Sequence, residues 1–211
     1  KRYLGAIILS PLLIFLFIGG VFLKSLVLIL SLGGMYEFYK VLKEKNIHAF
    51  SMVGYILCII YYLTLGEKIN TDLFFYIIIL STLICLTIPV INIKYTFIDV
   101  ATTLLGFLYI PVFFSFIVLV NNKDYGNYLV WLIFLSSWVC DTSAYYAGKY
   151  FGKHKLCPNV SPKKTIEGSI GGFFGSTLSC GLFGVFIVNK GVNIPIIHFF
   201  ILGALCGILV Q

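Results

Sequence analysis

Charge is what this sequence has least of. Of its 211 residues only 11% are charged, 15 Lys or Arg against 8 Asp or Glu, while 60% are hydrophobic and the mean hydropathy is +1.02. Globular domains carry about 25% charged residues, so a large water-soluble domain at either end is excluded. Disorder and collagen-like repeats are excluded on the same composition. The six cysteines (Cys58, Cys85, Cys140, Cys157, Cys180 and Cys206) are scattered and form no C-x-x-C pair. Neither a zinc site, a redox dithiol nor a disulfide-stapled secreted module is therefore indicated. A G-x4-G-K-[ST] phosphate loop is lacking too, since the lysines near the glycine-rich stretch precede it.

What fills the chain is one apolar run after another. Runs bounded by charges or turn residues cover 4–19, 21–39, 49–65, 73–91, 96–120, 128–148, 168–189 and 194–211. A spanning helix takes about 20 apolar residues. The expectation is an all-α, polytopic integral membrane protein with about eight transmembrane helices, forming a single membrane-embedded domain over residues 1–211. Residues 1–23 read as a retained helix, because their apolar stretch exceeds the about 7–15 residues of a signal peptide and no small-residue cleavage site follows. With the N-terminus cytoplasmic, one side holds Lys1, Arg2, Lys40, Lys43, Lys45, Lys94, Lys149, Lys153, Lys155, Lys163 and Lys164. The other holds Lys24, Lys68, Lys123 and Lys190, a ratio of 11 to 4. The positive-inside rule then makes the N-terminus and the 149–167 loop cytoplasmic. A basic face of this kind suits anionic headgroups or a polyanionic substrate, whereas its short loops suit nucleic acid poorly. The opening at Lys1 and the stop at Gln211 within an apolar run are what a fragment would show.

Ionisable groups within the runs are rare, so Asp141 stands out in YLVWLIFLSSWVCDTSAYYAGKYFG. A carboxylate at mid-helix costs about 2.5–3.5 kcal/mol on insertion scales and is expected to face protein or a watery cavity. Helical spacing puts Ser137, Ala144, Tyr145 and Gly148 on its side. A structural Asp locking two helices through Ser137 or Tyr145 is the alternative reading. The loop GKYFGKHKLCPNVSPKKTIEG, residues 148–168, carries five lysines, one histidine and one glutamate. Several lysines converging on one pocket can neutralise a triphosphate, although an ordinary anchoring loop has the same composition. Ser161-Pro162 reads as a helix start with Ser161 as N-cap. In GSIGGFFGSTLSCGLFG, residues 168–184, small residues at three- and four-residue spacing predict close helix packing. That packing would bring the loop and the Asp141 helix together. Asp99 lies within reach of Lys94, and Pro89 and Pro111 mark kinks or helix ends.

The order Ser137-x3-Asp141-x2-Ala144-Tyr145-x2-Gly148-x3-Gly152-Lys153, then Ser161-Pro162-x-Lys164-Thr165-x-Glu167-Gly168 and Gly171-Gly172, resembles the phosphatidate cytidylyltransferase family. The motif block covers residues 137–172. The resemblance implies transfer of a cytidylyl group from CTP to phosphatidate, giving CDP-diacylglycerol and pyrophosphate, with Mg²⁺, in a bacterial plasma membrane. It implies that Asp141, Lys164 and Glu167 are catalytic and that Asp141 is a metal ligand. Lys153, Lys155 and Lys164 would contact phosphates, Ser161 and Thr165 would donate hydrogen bonds to them, and Ser137 and Tyr145 would line the substrate site. Glu167 would hold a lysine or a water on the metal. The family's further Ser-x-x-Lys-Arg and His-Gly-Gly-x-x-Asp-Arg elements are absent from this chain. It is therefore expected to be C-terminally truncated, to lack part of the metal site and to be open to inactivity as it stands. The small-residue spacing and the resemblance both admit a homodimer. The rival readings are a CTP-dependent polyprenol or dolichol kinase-like enzyme and a secondary transporter with Asp141 as cation relay. A CDP-alcohol phosphotransferase lacks its D-G-x2-A-R element here.

Overall fold

A computed structural model describes residues 13–158 and 161–210. They belong to two compact units, Lys1–Asp124 and Tyr125–Gln211. Helices α1 (Ile14–Ile18), α2 (Gly20–Glu44), α3 (Ser51–Thr64), α4 (Thr71–Ile91) and α5 (Phe97–Asn121) make up the first. The second holds α6 (Gly126–Phe151), a hairpin of β1 (Lys155–Cys157) and β2 (Ser161–Thr165), α7 (Ile166–Val188) and α8 (Ile196–Leu209).

In the first unit the helix boundaries follow local chemistry. Gly19, at φ 66°, turns the chain between α1 and α2, a conformation that costs a side-chain-bearing residue more. Asn70 caps α4 by accepting from the Leu73 N–H at 3.1 Å. Thr96 and Asp99 form a capping box at the head of α5. The Asp99 carboxylate is buried and accepts from the Thr96 and His48 N–H groups at 2.7 and 2.6 Å. Its partners are thus backbone amides rather than Lys94, because a buried carboxylate is satisfied best by fixed donors beside it. Pro111 sits in a π-helical turn, Leu108–Val112, inside α5, and its carbonyl accepts from Tyr62 Oη at 3.1 Å. Pro89 falls two residues before the end of α4. Lys24, near the start of α2, donates to the Leu65 carbonyl at 2.6 Å, capping the last turn of α3.

Among the described residues four helices are long and apolar enough to cross a membrane: α2, α4, α5 and α7. Of the about eight spans expected, these four meet that measure. The first expected run, 4–19, lies largely outside the described residues, as do Lys1 and Arg2. Helices α3 and α8 have 14 residues each. At 1.5 Å per residue each reaches about 21 Å, short of a hydrocarbon core of about 30 Å. Helix α6 has 26 residues, but Asp141, Thr142, Ser143, Gly148 and Lys149 interrupt its apolar character. Large apolar side chains are exposed along the long helices, Val90 and Ile91 at 83% among them. An apolar surface of that extent needs lipid or protein against it.

In the second unit α7 packs along both α6 and α8. Small residues make both seams. On the α6 side, a Cβ at Gly168 would lie 2.9 Å from the Ala144 carbonyl oxygen and 3.3 Å from Gly148 Cα. One at Gly171 or Gly175 would run into Ala147 or Ser143. On the α8 side, a Cβ at Gly203 would come within 2.8 Å of Thr177 Cα. The Ser176 hydroxyl bridges that seam, donating to the Gly203 carbonyl at 2.7 Å. Backbones meet this closely only where side chains are missing.

Candidate functional site

The site grows from the seam between α6 and α7. On α6, Asp141, Ala144, Tyr145, Gly148 and Lys149 recur at three- and four-residue intervals and so share one face. On α7, Thr165, Gly168 and Ser169 repeat the same spacing at the helix start. The glycines let the two faces approach, and between them opens a cleft of about 350 Å³, completed by Lys163 and Lys164 of β2 and by Val210. That volume is in the range of small-ligand sites, about 300–1,000 Å³. Asp141 is exposed within the unit and lines the cleft.

The electrostatics follow from four side chains. The charged residues lining the cleft are three lysines, Lys149, Lys163 and Lys164, and one aspartate, Asp141. Lys149 also lies over the Tyr150 ring, 5.6 Å from its centroid, a cation–π contact that restrains it. A polyanion such as a triphosphate is what such an excess of lysine suits.

The start of α7 differs from expectation. Ser161-Pro162 does not open a helix: Ser161–Thr165 is a strand, and α7 begins at Ile166 with Thr165 as N-cap. Thr165 Oγ1 accepts from the Gly168 N–H at 3.1 Å. The reason is pairing, since β2 runs antiparallel to β1 with Thr165 opposite Lys155 and Ser161 opposite Cys157. Tertiary pairing overrides the Ser-Pro start signal, and the cap passes to the next hydroxyl. Accepting from Gly168 leaves the Thr165 hydroxyl proton available for a ligand oxygen.

Glu167 has a partner that was not foreseen. Its carboxylate accepts from the His154 N–H, both oxygens at 3.3 Å, and meets His154 Nδ1 at 2.7 Å. This clamp joins the hairpin to the first turn of α7, helped by the Ile166 N–H donating to the His154 carbonyl at 2.9 Å. The glutamate holds a histidine.

Of the candidate residues, Asp141, Tyr145, Lys164 and Thr165 line the cleft. Ser137 sits one turn further along α6, Lys153 and Lys155 are exposed on the hairpin side, Ser161 lies at the far end of β2, and Glu167 faces His154; none of these five lines the cleft. Lys149, Lys163 and Ser169 were missed. The signal was present in the helical interval that links Lys149 to Asp141 and Ser169 to Thr165. Beside the cleft runs a groove of about 390 Å³ lined by Leu156, Ile170, Phe173, Phe174, Gly207 and Ile208. Ser169 lines both hollows, so a polar compartment adjoins an apolar one.

Among the described residues no group of three or more His, Cys, Asp or Glu could by itself hold a metal. Mg²⁺ is commonly bound by one or two carboxylates together with waters and substrate phosphates. Asp141 is the one carboxylate lining the cleft, and the donor set fits Mg²⁺ in that mode only.

Comparison with known proteins adds to this geometry. A model described as the cytidylyltransferase family matches residues 1–211. The chain is similar to proteins named phosphatidate cytidylyltransferase in several bacteria. In Staphylococcus aureus strain COL the identity is 38% over 104 residues, 49% of this chain and 39% of the relative. In Aquifex aeolicus strain VF5 it is 38% over 96 residues, covering 40% and 37%. In Thermotoga maritima it is 34% over 100 residues, covering 47% and 36%. The chain spans about two fifths of the length of these curated relatives.

Proposed function

The chain belongs to the cytidylyltransferase family, and from that premise we propose that the protein transfers a cytidylyl group from CTP to phosphatidate, releasing pyrophosphate and forming CDP-diacylglycerol. The observation that carries this reading is the meeting of two unlike hollows at Ser169, one rich in lysine with a single carboxylate and one apolar. Phosphatidate is a lipid with an anionic head, and the pair of hollows offers its two ends two solvents. Its acyl chain would lie in the groove beside Phe173 and Phe174, and its phosphate in the cleft with the CTP triphosphate.

In the reaction a phosphatidate phosphate oxygen attacks the α-phosphorus of CTP while the bond from that phosphorus to the pyrophosphate oxygen breaks in line. Charge then accumulates on the leaving pyrophosphate. Lys149, Lys163 and Lys164 offset it, and the Thr165 hydroxyl donates to a phosphate oxygen. Tyr145 closes the α6 side of the cleft. The role of Asp141 is to help hold Mg²⁺, which when bound neutralises triphosphate charge and orients the leaving group. Lys155 and Ser161 belong to the hairpin and Lys153 leads into it, and their contribution is to meet a phosphate from that side as substrate arrives. Ser137 supports Asp141 from the preceding turn. Glu167 acts through His154, positioning the hairpin that carries Lys163 and Lys164.

The protein would work in a bacterial plasma membrane with its N-terminus and the 149–167 segment cytoplasmic, where CTP is found. That orientation is supported by the 11 to 4 distribution of basic residues. A homodimer is compatible with the long exposed apolar faces.

The decisive experiment is Asp141→Asn, assayed as CDP-diacylglycerol formed from CTP and phosphatidate in membranes expressing the protein. Loss of turnover with membrane insertion unchanged is expected. A variant that retains wild-type turnover removes Asp141 from the site, and a wild-type protein that phosphorylates a polyprenol instead of consuming phosphatidate overturns the substrate assignment.

A further inference from the structure

A second cleft, of about 480 Å³, lies in the first unit, far along the chain from the Asp141 site. It is bounded by the end of α2, the 45–50 turn and the start of α3, and Tyr95 faces it from the α4–α5 connection. We propose that this cleft, with Lys43 and His48 on its wall, binds the phosphate of an anionic membrane lipid.

Several acceptors near the walls are already committed. Near the end of α2 the Leu42 carbonyl accepts from the Lys45 and Ile47 N–H groups, and the Lys43 carbonyl from the Asn46 N–H. The His48 N–H is committed to Asp99 and the Phe50 N–H to Thr103 Oγ1 at 2.7 Å. The acid closest in the network, Asp99, is buried and saturated by amides from His48 and Thr96 together with the Thr96 hydroxyl, so it offers no acceptor to the cleft. Lys43, His48, Ser51 and Tyr95 bring polar side chains to the hollow, and Met52 and Val53 belong to the first turn of α3 on its wall. First-turn amides have no acceptor within their own helix. Lys40, Lys45 and Lys94 are exposed close by in sequence, against Glu37 and Glu44 on α2. A phosphate oxygen accepts from every one of the donors named.

The apolar surroundings select a lipid over a soluble phosphate. Met52 at the mouth is 73% exposed, and two residues to either side of Tyr95 stand Ile93 at 92% and Phe97 at 73%. Large apolar side chains left bare beside a lysine-lined hollow at the end of spanning helices match a headgroup above acyl chains. The proposal does not depend on the cytidylyltransferase reading, since it uses no residue of the Asp141 cleft.

The test is photolabelling of the protein in detergent micelles with a photoreactive phosphatidylglycerol, with the label mapped by peptide mass spectrometry. Label is expected on residues 43–53 and 95. Unlabelled phosphatidylglycerol should compete it away, while phosphatidylcholine and millimolar inorganic phosphate should not. Lys43→Gln is expected to reduce labelling at that peptide about tenfold, the loss of one charge-assisted hydrogen bond, and Lys43→Arg to restore it. Equal labelling in Lys43→Gln overturns the proposal, as does competition by phosphatidylcholine or inorganic phosphate as effective as that by the anionic lipid. The competition arms use the wild-type protein and hold whether or not the variant folds.

Discussion

Substituting Gly171 by Ala tests whether the α6–α7 seam sets the cleft. The added methyl would overlap Ala147 Cβ and lie 3.2 Å from the Ser143 carbonyl oxygen. Carbon atoms settle at about 3.5–4.0 Å, so the helices must part by roughly 1 Å at this level. Overpacking of this kind costs about 1–3 kcal/mol, against about 1 kcal/mol gained in helix propensity when Gly becomes Ala. The chemical consequence is larger. Asp141 stands on one helix and Thr165 and Lys164 lead into the other, and a misplacement of about 1 Å can cost 100-fold in rate. Ala147→Gly removes the clashing atom, leaving Ser143 O at 3.2 Å and Ala147 Cα at 3.8 Å as the nearest neighbours of the new methyl. In the double variant the propensity changes cancel, so melting and turnover should both return close to wild type. Additive effects would instead leave it about 1–3 kcal/mol less stable, or about 2–4 °C in thermal midpoint per kcal/mol. Midpoints in detergent micelles and CDP-diacylglycerol formation in membranes read out the four corners of the cycle. A Gly171→Ala protein with full rate and unchanged midpoint, or a double variant no better than the single, refutes the seam argument.

Three further outcomes follow from the contacts. Thr165→Ala should lower stability by about 1 kcal/mol through loss of the α7 N-cap, with Thr165→Ser close to wild type, both measured by thermal melting. Glu167→Ala should release the hairpin from α7 and speed amide hydrogen exchange in Lys155–Cys157 and Ser161–Thr165 while the α7 interior stays protected; unchanged exchange in the strands would show that the His154 clamp does not hold them. Asp99→Ala removes the acceptor of the part-buried His48 and Thr96 N–H bonds, at about 1 kcal/mol for each bond lost, and Asp99→Asn, which keeps one carbonyl oxygen, should lose less of the thermal midpoint.

The features legible in the amino-acid order share one property: each rests on residues close together in the chain. Asp141 could be aligned with Tyr145 and Gly148 because one helix carries all three, and the glycines from Gly168 to Gly175 announced a close seam because their spacing is that of a helix face. Pro111 signalled a break for a reason internal to its own backbone. The Ser161-Pro162 signal failed because β1 competes for the same residues, and strand pairing reaches across a turn that no capping rule considers. Lys153 and Lys155 looked equivalent to Lys163 and Lys164 by composition, yet only the latter pair line the cleft.

By itself the sequence determined that this chain is helical and apolar, with one carboxylate inside the sixth run and lysines downstream of it, since hydropathy and periodicity are properties of single segments. Only the tertiary structure decided which lysines meet Asp141, that Glu167 turns to His154, and how far each helix runs. Those outcomes depend on which surfaces pair, and a pairing free energy belongs to two segments at once.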